Sequence, residues 1–341
     1  MNIRKVAEQA GVSVATISRV LNHPEQVLPE TRERVLAVMK KLDYTPNWFA
    51  RGLNLGTTNT IALLIPSIET GLHQKIITGI ETVARNKHYA VFFCNTYGDA
   101  QVEYDYLKMM GTRRVDGVIL VSSRLGNGRA LPLGELGIPC VHVGKKRVDG
   151  CETICYIDYE EGARRLIQHL LSFGYGRIDL MFDDLQQGEN EQIEAGMQHA
   201  LRDRGQRLGC RKFAAENSVQ GGYVAAQKMI QQGEVPDALV TASCEQALGV
   251  LKAAQDAKLD IPEKLTLASM TDSPACSIVS PPITTVEHPA TKLGMAAARL
   301  LLDSIENKEL ELGVPQEMIL QPKLKIRKSC GNTKYIYELF E

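Results

Sequence analysis

Hydrophobic residues recur at helical spacing in three short stretches within the first 45 residues of the chain. The first stretch carries its apolar side chains on one helical face, at Ile3, Val6, Ala7 and Ala10. Gly11 then supplies a tight turn, and Ser13 is a favourable N-cap for a second helix over residues 14–22. A third helix is predicted to begin at Pro29, with Val35, Val38, Met39 and Leu42 buried. Two short helices joined by a glycine-containing turn are typical of the helix-turn-helix, whose second helix enters the major groove of DNA.

The second of these helices has an outward face that suits contact with DNA. Arg19 can pair with O6 and N7 of guanine, whereas Val14 and Ala15 offer apolar contact to a thymine methyl group. Ser18 shares this face, and three further polar residues are placed to contact phosphates: Ser13, Thr16 and Asn22. The residues predicted to pack inward are Ile17, Val20 and Leu21. The alternative interpretation is a small helical bundle that binds a protein.

From residue 60 onward, short and almost continuously apolar runs alternate with helical stretches. The predicted strands form two series, at 60–65, 90–94 and 117–121, and at 177–182, 238–242 and 265–270. Apolar strands that alternate with helices are typical of parallel sheets covered on both faces. The sequence therefore predicts an all-α N-terminal domain and an α/β body of doubly wound parallel sheets. Small ligands of such folds bind at the carboxyl ends of the strands.

The composition predicts a globular protein of several domains with a basic N-terminal part. The chain has 341 residues, of which 44% are hydrophobic and 23% are charged. Residues 1–51 carry eight Lys and Arg against five Asp and Glu, so the net charge of −1 divides into +3 there and −4 elsewhere. We expect the basic part to contact phosphate.

The sequence shows no targeting segment, and no apolar run approaches the roughly 18 residues of a membrane span. The eight cysteines form no CxxC pair, and we expect Cys94 and Cys140 to be buried thiols in a reducing compartment. No GxSxG, HExxH or Walker A motif occurs in the context that its chemistry requires. We therefore expect a cytoplasmic protein that is not an enzyme and binds neither a metal nor a cofactor.

Several segments resemble the LacI/GalR family of bacterial transcription regulators. The most specific is VSVATISRVLN at residues 12–22, followed by YTPNWFARGL at 44–53. Shorter matches are RVDGVIL at 114–120, DYEEGA at 158–163 and PITTV at 282–286. The resemblance implies a regulator, more often a repressor, that binds a near-palindromic operator in double-stranded DNA as a homodimer. It also implies control by a small-molecule effector bound in a cleft.

The resemblance further implies how the chain divides into domains. The expected units are a helix-turn-helix domain at 1–46, a hinge helix or linker at 47–57, a ligand-binding and dimerisation body at 58–328, and a tail at 329–341. The body resembles periplasmic binding proteins. Its N-subdomain is expected at about 58–158 and 289–318, and its C-subdomain at about 159–288 and 319–328.

The resemblance assigns a role in DNA binding to the hinge. Ala50 is expected to face the hinge of the partner subunit, and Leu53 is expected to insert between base pairs in the minor groove and bend the duplex. Gly52 departs from the family pattern, because glycine costs about 1 kcal/mol inside a helix. We therefore expect a hinge that becomes helical only on DNA; the alternative is a plain flexible linker.

The expected ligand cleft departs from the sugar-binding pattern of the family. The residues that replace or retain ligand positions are Ile193, Ser243, Thr271 and Asp272. Ile193 stands where an arginine is expected, Ser243 begins the replacement of an Asn-Asp pair, and Thr271 replaces the first of two aspartates. His73 ends a segment that replaces an Asn-Pro-Phe-Phe run. Because arginine and aspartate bind vicinal hydroxyls, these changes argue against a plain neutral hexose.

Two cations near strand ends, Arg124 and Lys145, lead to the hypothesis of an anionic effector such as a sugar phosphate or sugar acid. The alternatives are that the cluster at 145–147 is a solvated loop, that the pocket is vestigial, or that it responds to a protein co-effector. A periplasmic-type protein that only binds or senses a ligand is the alternative to a regulator, but it would have no use for residues 1–53.

Overall fold

The computed structural model describes residues 3–44, 57–113, 115–125, 137–183, 187–203, 210–307 and 316–331. Ala50 and Leu53, on which the hinge prediction rests, lie outside the described residues, as do residues 332–341 of the predicted tail. The side chain of Asn22 is also outside them. The described residues form an N-terminal group of helices and two β-sheets with flanking helices.

The N-terminal residues fold into helices around a small core. These helices are α1 (Ile3–Ala10), α2 (Val14–Asn22) and α3 (Pro29–Lys41), with a 3₁₀ turn at Pro24–Gln26. Gly11 adopts a φ of +63° in the turn after α1, and Ser13 Oγ caps α2 by accepting a hydrogen bond from the Thr16 amide at 3.1 Å. The core consists of Val6, Ala7, Ala10, Ile17, Val20, Val35 and Met39. The predicted helix-turn-helix is confirmed.

The described strands of the body alternate with helices, as the apolar runs predict. The strands are β1 (Thr60–Ile65), β2 (Ala90–Asn95), β3 (Gly117–Val121), β4 (Cys140–Val143), β5 (Thr153–Ile157), β6 (Ile178–Phe182), β7 (Lys212–Ala214), β8 (Ala238–Thr241), β9 (Thr266–Ser269), β10 (Thr284–Glu287), β11 (Glu317–Leu320) and β12 (Lys323–Lys325). The helices are α4 (Gly71–Asn86), α5 (Ala100–Arg113), α6 (Tyr159–Leu171), α7 (Gln187–Asp203), α8 (Val219–Gln231), α9 (Cys244–Asp256), α10 (Pro274–Ile278) and α11 (Ala290–Glu306).

The strands form two six-stranded sheets of doubly wound topology. The first sheet has the order β11-β5-β4-β3-β1-β2, and all of its described neighbours are parallel. The second has the order β12-β10-β9-β8-β6-β7, in which only β12 pairs in the antiparallel sense among the described strands. The chain passes between the sheets after Ile157, after Glu287 and after Leu320. The predicted fold class, two parallel-dominated sheets behind a helix-turn-helix, is confirmed.

Helices cover both faces of each sheet. In the first sheet, α4 and α11 pack together on one face and α5 lies on the other. In the second, α6 pairs with α7 and α8 pairs with α9. Burial on both faces explains why the strands read as continuous apolar runs instead of alternating ones.

Close backbone contact between α4 and α11 depends on two glycines. A Cβ atom on Gly79 would lie 2.1 Å from the Thr291 carbonyl oxygen, and one on Gly294 would lie 2.1 Å from the Ile76 carbonyl oxygen. Such distances are far inside van der Waals contact, so these positions have no room for a side chain. The crossing of the two helices is therefore specified by glycine.

The cysteines differ in part from the expected arrangement. Cys94 is a buried free thiol, as expected, and burial raises its pKa to about 11. The expectation of a buried thiol at Cys140 is wrong, because this half-buried residue forms a disulfide with Cys151. A second disulfide joins Cys244, the first residue of α9, to Cys276 in α10. Spacing along the chain gave no sign of these pairs, since each is made by tertiary contact.

None of the described helices is long and apolar enough to span a bilayer.

Candidate functional site

The outward face of α2 combines small side chains with one cation. Ser13, Val14, Ala15 and Arg19 are exposed, whereas Thr16 and Ser18 are half-buried. Ile17 and Val20 are buried in the core, so they fix which face of the helix meets solvent. The described residues that are expected to contact DNA therefore lie on or beside one exposed surface.

The three N-terminal helices also expose several cationic side chains to solvent. These are Arg4, Lys5, Arg32, Arg34, Lys40 and Lys41. Cations on the same small domain as α2 can neutralise phosphates, which contributes affinity without base specificity.

A cavity lies between the two sheets, where the carboxyl ends of strands from both sheets meet. Its volume is about 70 Å³. It is bounded by the start of α4, by the first turns of α7 and α9, and by the segments that follow β8, β9 and β10. Four of the residues predicted from the sequence line it: His73, Ser243, Thr271 and Asp272. This is the place at which α/β folds of this kind bind ligands.

The Asp272 carboxylate in the cavity wall is held by side chains of β10, of β12 and of the segment after β12. It accepts a hydrogen bond from Thr285 Oγ1 at 2.7 Å and forms an ion pair with Arg327, whose Nη1 lies 2.9 Å away. Lys325 Nζ lies 3.4 Å from its other oxygen. Burial acts to raise the pKa of Asp272, but the hydrogen bonds from Arg327 and Thr285 outweigh it and lower that pKa. The charge of Asp272 is therefore neutralised within the protein.

Ser243 and Thr271 are used to fix the local backbone. Ser243 Oγ caps α9 by accepting from the Gln246 amide at 3.2 Å, within a capping box. Thr271 Oγ1 accepts from the Cys244 amide at 2.9 Å. These two side chains join the end of β9 to the start of α9 and so shape one wall of the cavity.

Two histidines of the cavity lining are neutral and largely buried. Burial lowers the pKa of His288 to about 4, and its ring lies 4.7 Å from the ring of Tyr159. Burial also lowers the pKa of His73, against the opposing effect of a hydrogen bond to the backbone of Ser67. In both rings Nδ1 has no hydrogen-bond partner among the described residues.

Carboxylates also lie at this end of the sheets. Burial raises the pKa of Glu189 in the cavity wall to about 7, although the positive charge of Arg124 acts to lower it. Glu103 is only 3% exposed and accepts a hydrogen bond from the Arg124 amide at 3.0 Å. Burial raises the pKa of Glu103, while hydrogen bonds from Ser123 and Arg124 partly offset that rise. Acidic groups are thus more prominent here than the sequence suggested.

Three predicted ligand residues do not line the cavity. Ile193 stands where the family pattern has an arginine. It is 3% exposed and belongs to the hydrophobic core, so its side chain is not available to a ligand. Lys145 Nζ lies 3.4 Å from a carboxylate oxygen of Glu160, at the protein surface. Arg124 is near the cavity but acts on Glu189 and is not part of the lining.

Other lining residues escaped sequence reasoning, among them Glu189, Asn217, Glu245 and His288. Glu189 and Glu245 lie in the first turns of α7 and α9, and His288 follows β10 directly. Each follows the end of a strand in the sequence, and that position could have identified it as a cavity residue, whereas the family motifs do not include it. The described part of the chain contains no group of three or more His, Cys, Asp or Glu side chains placed to bind a metal ion.

Two protein-family models match the chain. The model described as "Bacterial regulatory proteins, lacI family" matches residues 2–47, which contain the helix-turn-helix. The model described as "Periplasmic binding protein-like domain" matches residues 167–330, which contain the second sheet. The two matches agree with the fold of the parts that they cover.

Curated relatives match over nearly the full length. The chain is 31% identical over 314 residues to the HTH-type transcriptional regulator RegA of Clostridium saccharobutylicum, covering 91% of this chain and 94% of the relative. It is 28% identical over 335 residues to Catabolite control protein A of Staphylococcus aureus, covering 98% and 99%.

Solved structures share the fold. A LacI-family transcriptional regulator from Silicibacter pomeroyi superposes with a TM-score of 0.82 at 26% identity, covering 97% of this chain and 99% of that one. The lac repressor dimer bound to operator and an anti-inducer superposes with a TM-score of 0.85 at 23% identity over 97% and 99% of the chains, a likeness that shows the fold alone. Together with the helix-turn-helix and the cleft, these relationships establish that the chain belongs to the LacI family, as a DNA-binding transcriptional regulator with an effector-binding domain.

Proposed function

We propose that the chain binds a near-palindromic operator as a homodimer and represses transcription, with α2 of each subunit in the major groove. The observation that carries this proposal is the outward face of α2, which exposes Val14, Ala15 and Arg19 while Ile17 and Val20 are buried. Arg19 reads guanine, and Val14 and Ala15 contact thymine methyl groups. Ser13, Thr16, Ser18 and Asn22 position the helix on the phosphates and neighbouring bases.

The same proposal includes a hinge in the minor groove. Leu53 inserts between base pairs and Ala50 packs against the partner's hinge, which exchanges the cost of unstacking for a bent duplex with more protein contact. The support is the position of both residues directly after the helix-turn-helix, and both lie outside the described residues.

Exposed apolar side chains on the body support dimerisation. Phe92 and Phe93, each 39% exposed, lie on the edge strand β2 of the first sheet. On the second sheet's helices, Val224 of α8 is 52% exposed and Ile278 of α10 is 75% exposed. An isologous interface that covers these residues would place two helix-turn-helix domains on two half-sites.

The cavity between the sheets is the proposed effector site, and it performs no catalytic step. It lies where a ligand can change the relative position of the two subdomains, and such a rotation would move the hinges that precede them. His73, Ser243, Thr271 and Asp272 contribute to its walls. The anionic effector expected from Arg124 and Lys145 lacks support, because neither cation lines the cavity.

The test of the DNA-binding proposal is selection of duplexes from a random pool, followed by binding at several salt concentrations. We expect enrichment of near-palindromic sequences, and a log–log salt slope of about −0.9 for each phosphate neutralised. Binding that ignores salt, or a pool that shows no enriched sequence, would contradict the proposal. Expression of a reporter behind the enriched duplex then separates repression from activation.

A further inference from the structure

The cavity wall contains a histidine whose acceptor nitrogen has no partner among the described residues. His288 is 6% exposed, and its Nε2 hydrogen-bonds to the Met270 carbonyl oxygen. A carbonyl oxygen can only accept, so Nε2 carries the proton. The neutral ring therefore presents Nδ1 as an acceptor. Nδ1 is buried and has no partner in the described part of the protein.

His73, in the first turn of α4, also lines the cavity with a buried ring nitrogen that has no partner among the described residues. A hydrogen bond to the backbone of Ser67 acts to raise the pKa of His73, so the ring donates an N–H to the Ser67 carbonyl oxygen. The unpartnered atom is again Nδ1, which is an acceptor in the neutral ring. Asn217 adds a third buried acceptor, its carbonyl oxygen Oδ1, which also lacks a partner among the described residues.

Acidic side chains outnumber lysines and arginines in the lining of the cavity. Glu189 and Glu245 both contribute to the wall, and Lys75 is the one lysine or arginine among the described lining residues. Asp272 is also acidic, but Arg327 and Lys325 already neutralise it. A phosphate or carboxylate would thus meet unsatisfied acceptors and two carboxyl groups. A ligand with a positive charge and hydrogen-bond donors would instead find carboxyl groups for its charge and acceptors for its donors.

We propose that this cavity binds a polyhydroxyl compound that carries a protonated amine, that is, a ligand of the amino-sugar class. The amine lies against Glu189 and Glu245, and hydroxyl groups donate to His73, Asn217 and His288. The inference rests on the proposed effector role of the cavity and names the class of compound that fulfils it. A hydrogen bond from the ligand to each of these acceptors removes the free-energy cost of burying that acceptor without a partner.

The size of the cavity indicates how such a ligand acts. At about 70 Å³ it is well below the roughly 300 Å³ at which small-molecule pockets begin, so the two sheets must separate to admit a sugar ring. Binding therefore favours an arrangement of the subdomains that differs from this one. Differential affinity for two arrangements is what an effector needs in order to shift their populations.

The test uses thermal unfolding of the full-length protein with D-glucosamine, D-galactosamine and D-mannosamine, each compared with its N-acetyl form, and with glucose and glucose 6-phosphate. We expect at least one free amine to raise Tm by several degrees at about 100 times its Kd, and its N-acetyl form to have no effect. A response to glucose or glucose 6-phosphate without one to the amines overturns the proposal, as does the absence of any response.

Variants then locate the site. Glu245→Gln removes a charge at constant shape, and we expect it to weaken binding of the responding amino sugar at least tenfold by titration calorimetry. Glu263→Gln, an exposed residue away from the cavity, should bind as wild type does. Equal affinity of the Glu245→Gln variant and wild type would place the ligand elsewhere and overturn the proposal. DNA binding without sugar is measured in parallel, so a failure of the regulator function is seen separately.

Discussion

Arg19 is the exposed cation of α2, and its side chain is expected to determine base specificity. Arg19→Ala should weaken binding to the enriched duplex by roughly 5- to 150-fold, because a bidentate contact to guanine is worth roughly 1–3 kcal/mol. Fluorescence anisotropy at fixed salt measures the change. Arg85→Ala removes the same charge from an exposed ion pair with Glu81 on α4 and should have little effect. Equal losses in both variants would indicate that only net charge matters.

Glu189 gives stability a specific dependence on pH. Its pKa rises from an ordinary 4.5 to about 7 because it is buried, so the folded protein holds this proton more tightly than the unfolded chain. The free energy of unfolding should therefore fall between about pH 4.5 and pH 7, by on the order of 3 kcal/mol, and stay lower above pH 7. Denaturant unfolding of wild type and Glu189→Gln from pH 4.5 to 8 isolates the effect, since the difference between them should vary over this range. A difference independent of pH would contradict the assignment.

At the residue scale, the sequence identified which residues line the cavity better than it identified the contacts that their side chains make. Comparison with the ligand motifs of the family selected His73, Ser243, Thr271 and Asp272, which the fold gathers around one cavity. It could not show that Lys145 pairs with Glu160, because that contact depends on how a loop meets α6. The unpartnered acceptor on His288 likewise results from packing between β10 and its neighbours.

At the scale of elements, helix pairs are held by direct backbone contact. Gly294→Ala should lower the free energy of unfolding by about 1–3 kcal/mol, because the added methyl group must push α11 away from the Ile76 carbonyl oxygen. Gly188→Ala in the first turn of α7 is the matched control, since nothing lies within 4 Å of its Cβ position. Thermal and denaturant unfolding measure both. Equal stabilities would show that the helices can separate without cost.

Helices and strands themselves follow from local sequence. Ser13 caps α2, proline begins α3, and apolar runs become β1 and β3 because each side of the sheet is covered. The pairing of β11 with β5 was not predictable in this way, since about 160 residues separate Ile154 from its partner Glu317. The antiparallel pairing of β12 with β10 is likewise a result of where the chain returns.

At the scale of the whole molecule, dimerisation can be tested at the exposed apolar surface. Ile278→Asp should produce a monomer in sedimentation equilibrium, because a buried unpaired charge in an interface costs several kcal/mol. DNA binding should fall in parallel, since one subunit reads one half-site. Ile68→Asp, at a residue that is 47% exposed in the segment before α4, is the control. A dimeric Ile278→Asp variant would assign the interface to another surface.

The two disulfides can be tested by counting thiols. In denatured and unreduced protein, we expect Cys94, Cys155, Cys210 and Cys330 to be alkylated and the other four cysteines to be protected. All eight should react after reduction, and reduction should lower the free energy of unfolding by about 2–4 kcal/mol for each bridge. Mass spectrometry gives the count. Reaction of all eight without reduction would show that the pairs are not oxidised.

The sequence by itself determined the helix-turn-helix, the alternation of strands and helices, and the family. These features depend on hydrophobic periodicity, helix caps and short motifs, which are properties of neighbouring residues. It also determined which side of α2 faces outward, because Ile17 and Val20 repeat at core spacing.

Only the tertiary structure decided the character of the cavity. Whether a charge such as Asp272 is neutralised, and whether an acceptor such as His288 Nδ1 has a partner, depends on residues distant in the chain. The disulfides between Cys140 and Cys151 and between Cys244 and Cys276 depend on the same kind of contact. Local sequence sets the elements because their hydrogen bonds and periodicity are local, whereas burial and charge pairing arise only when the sheets and helices pack together.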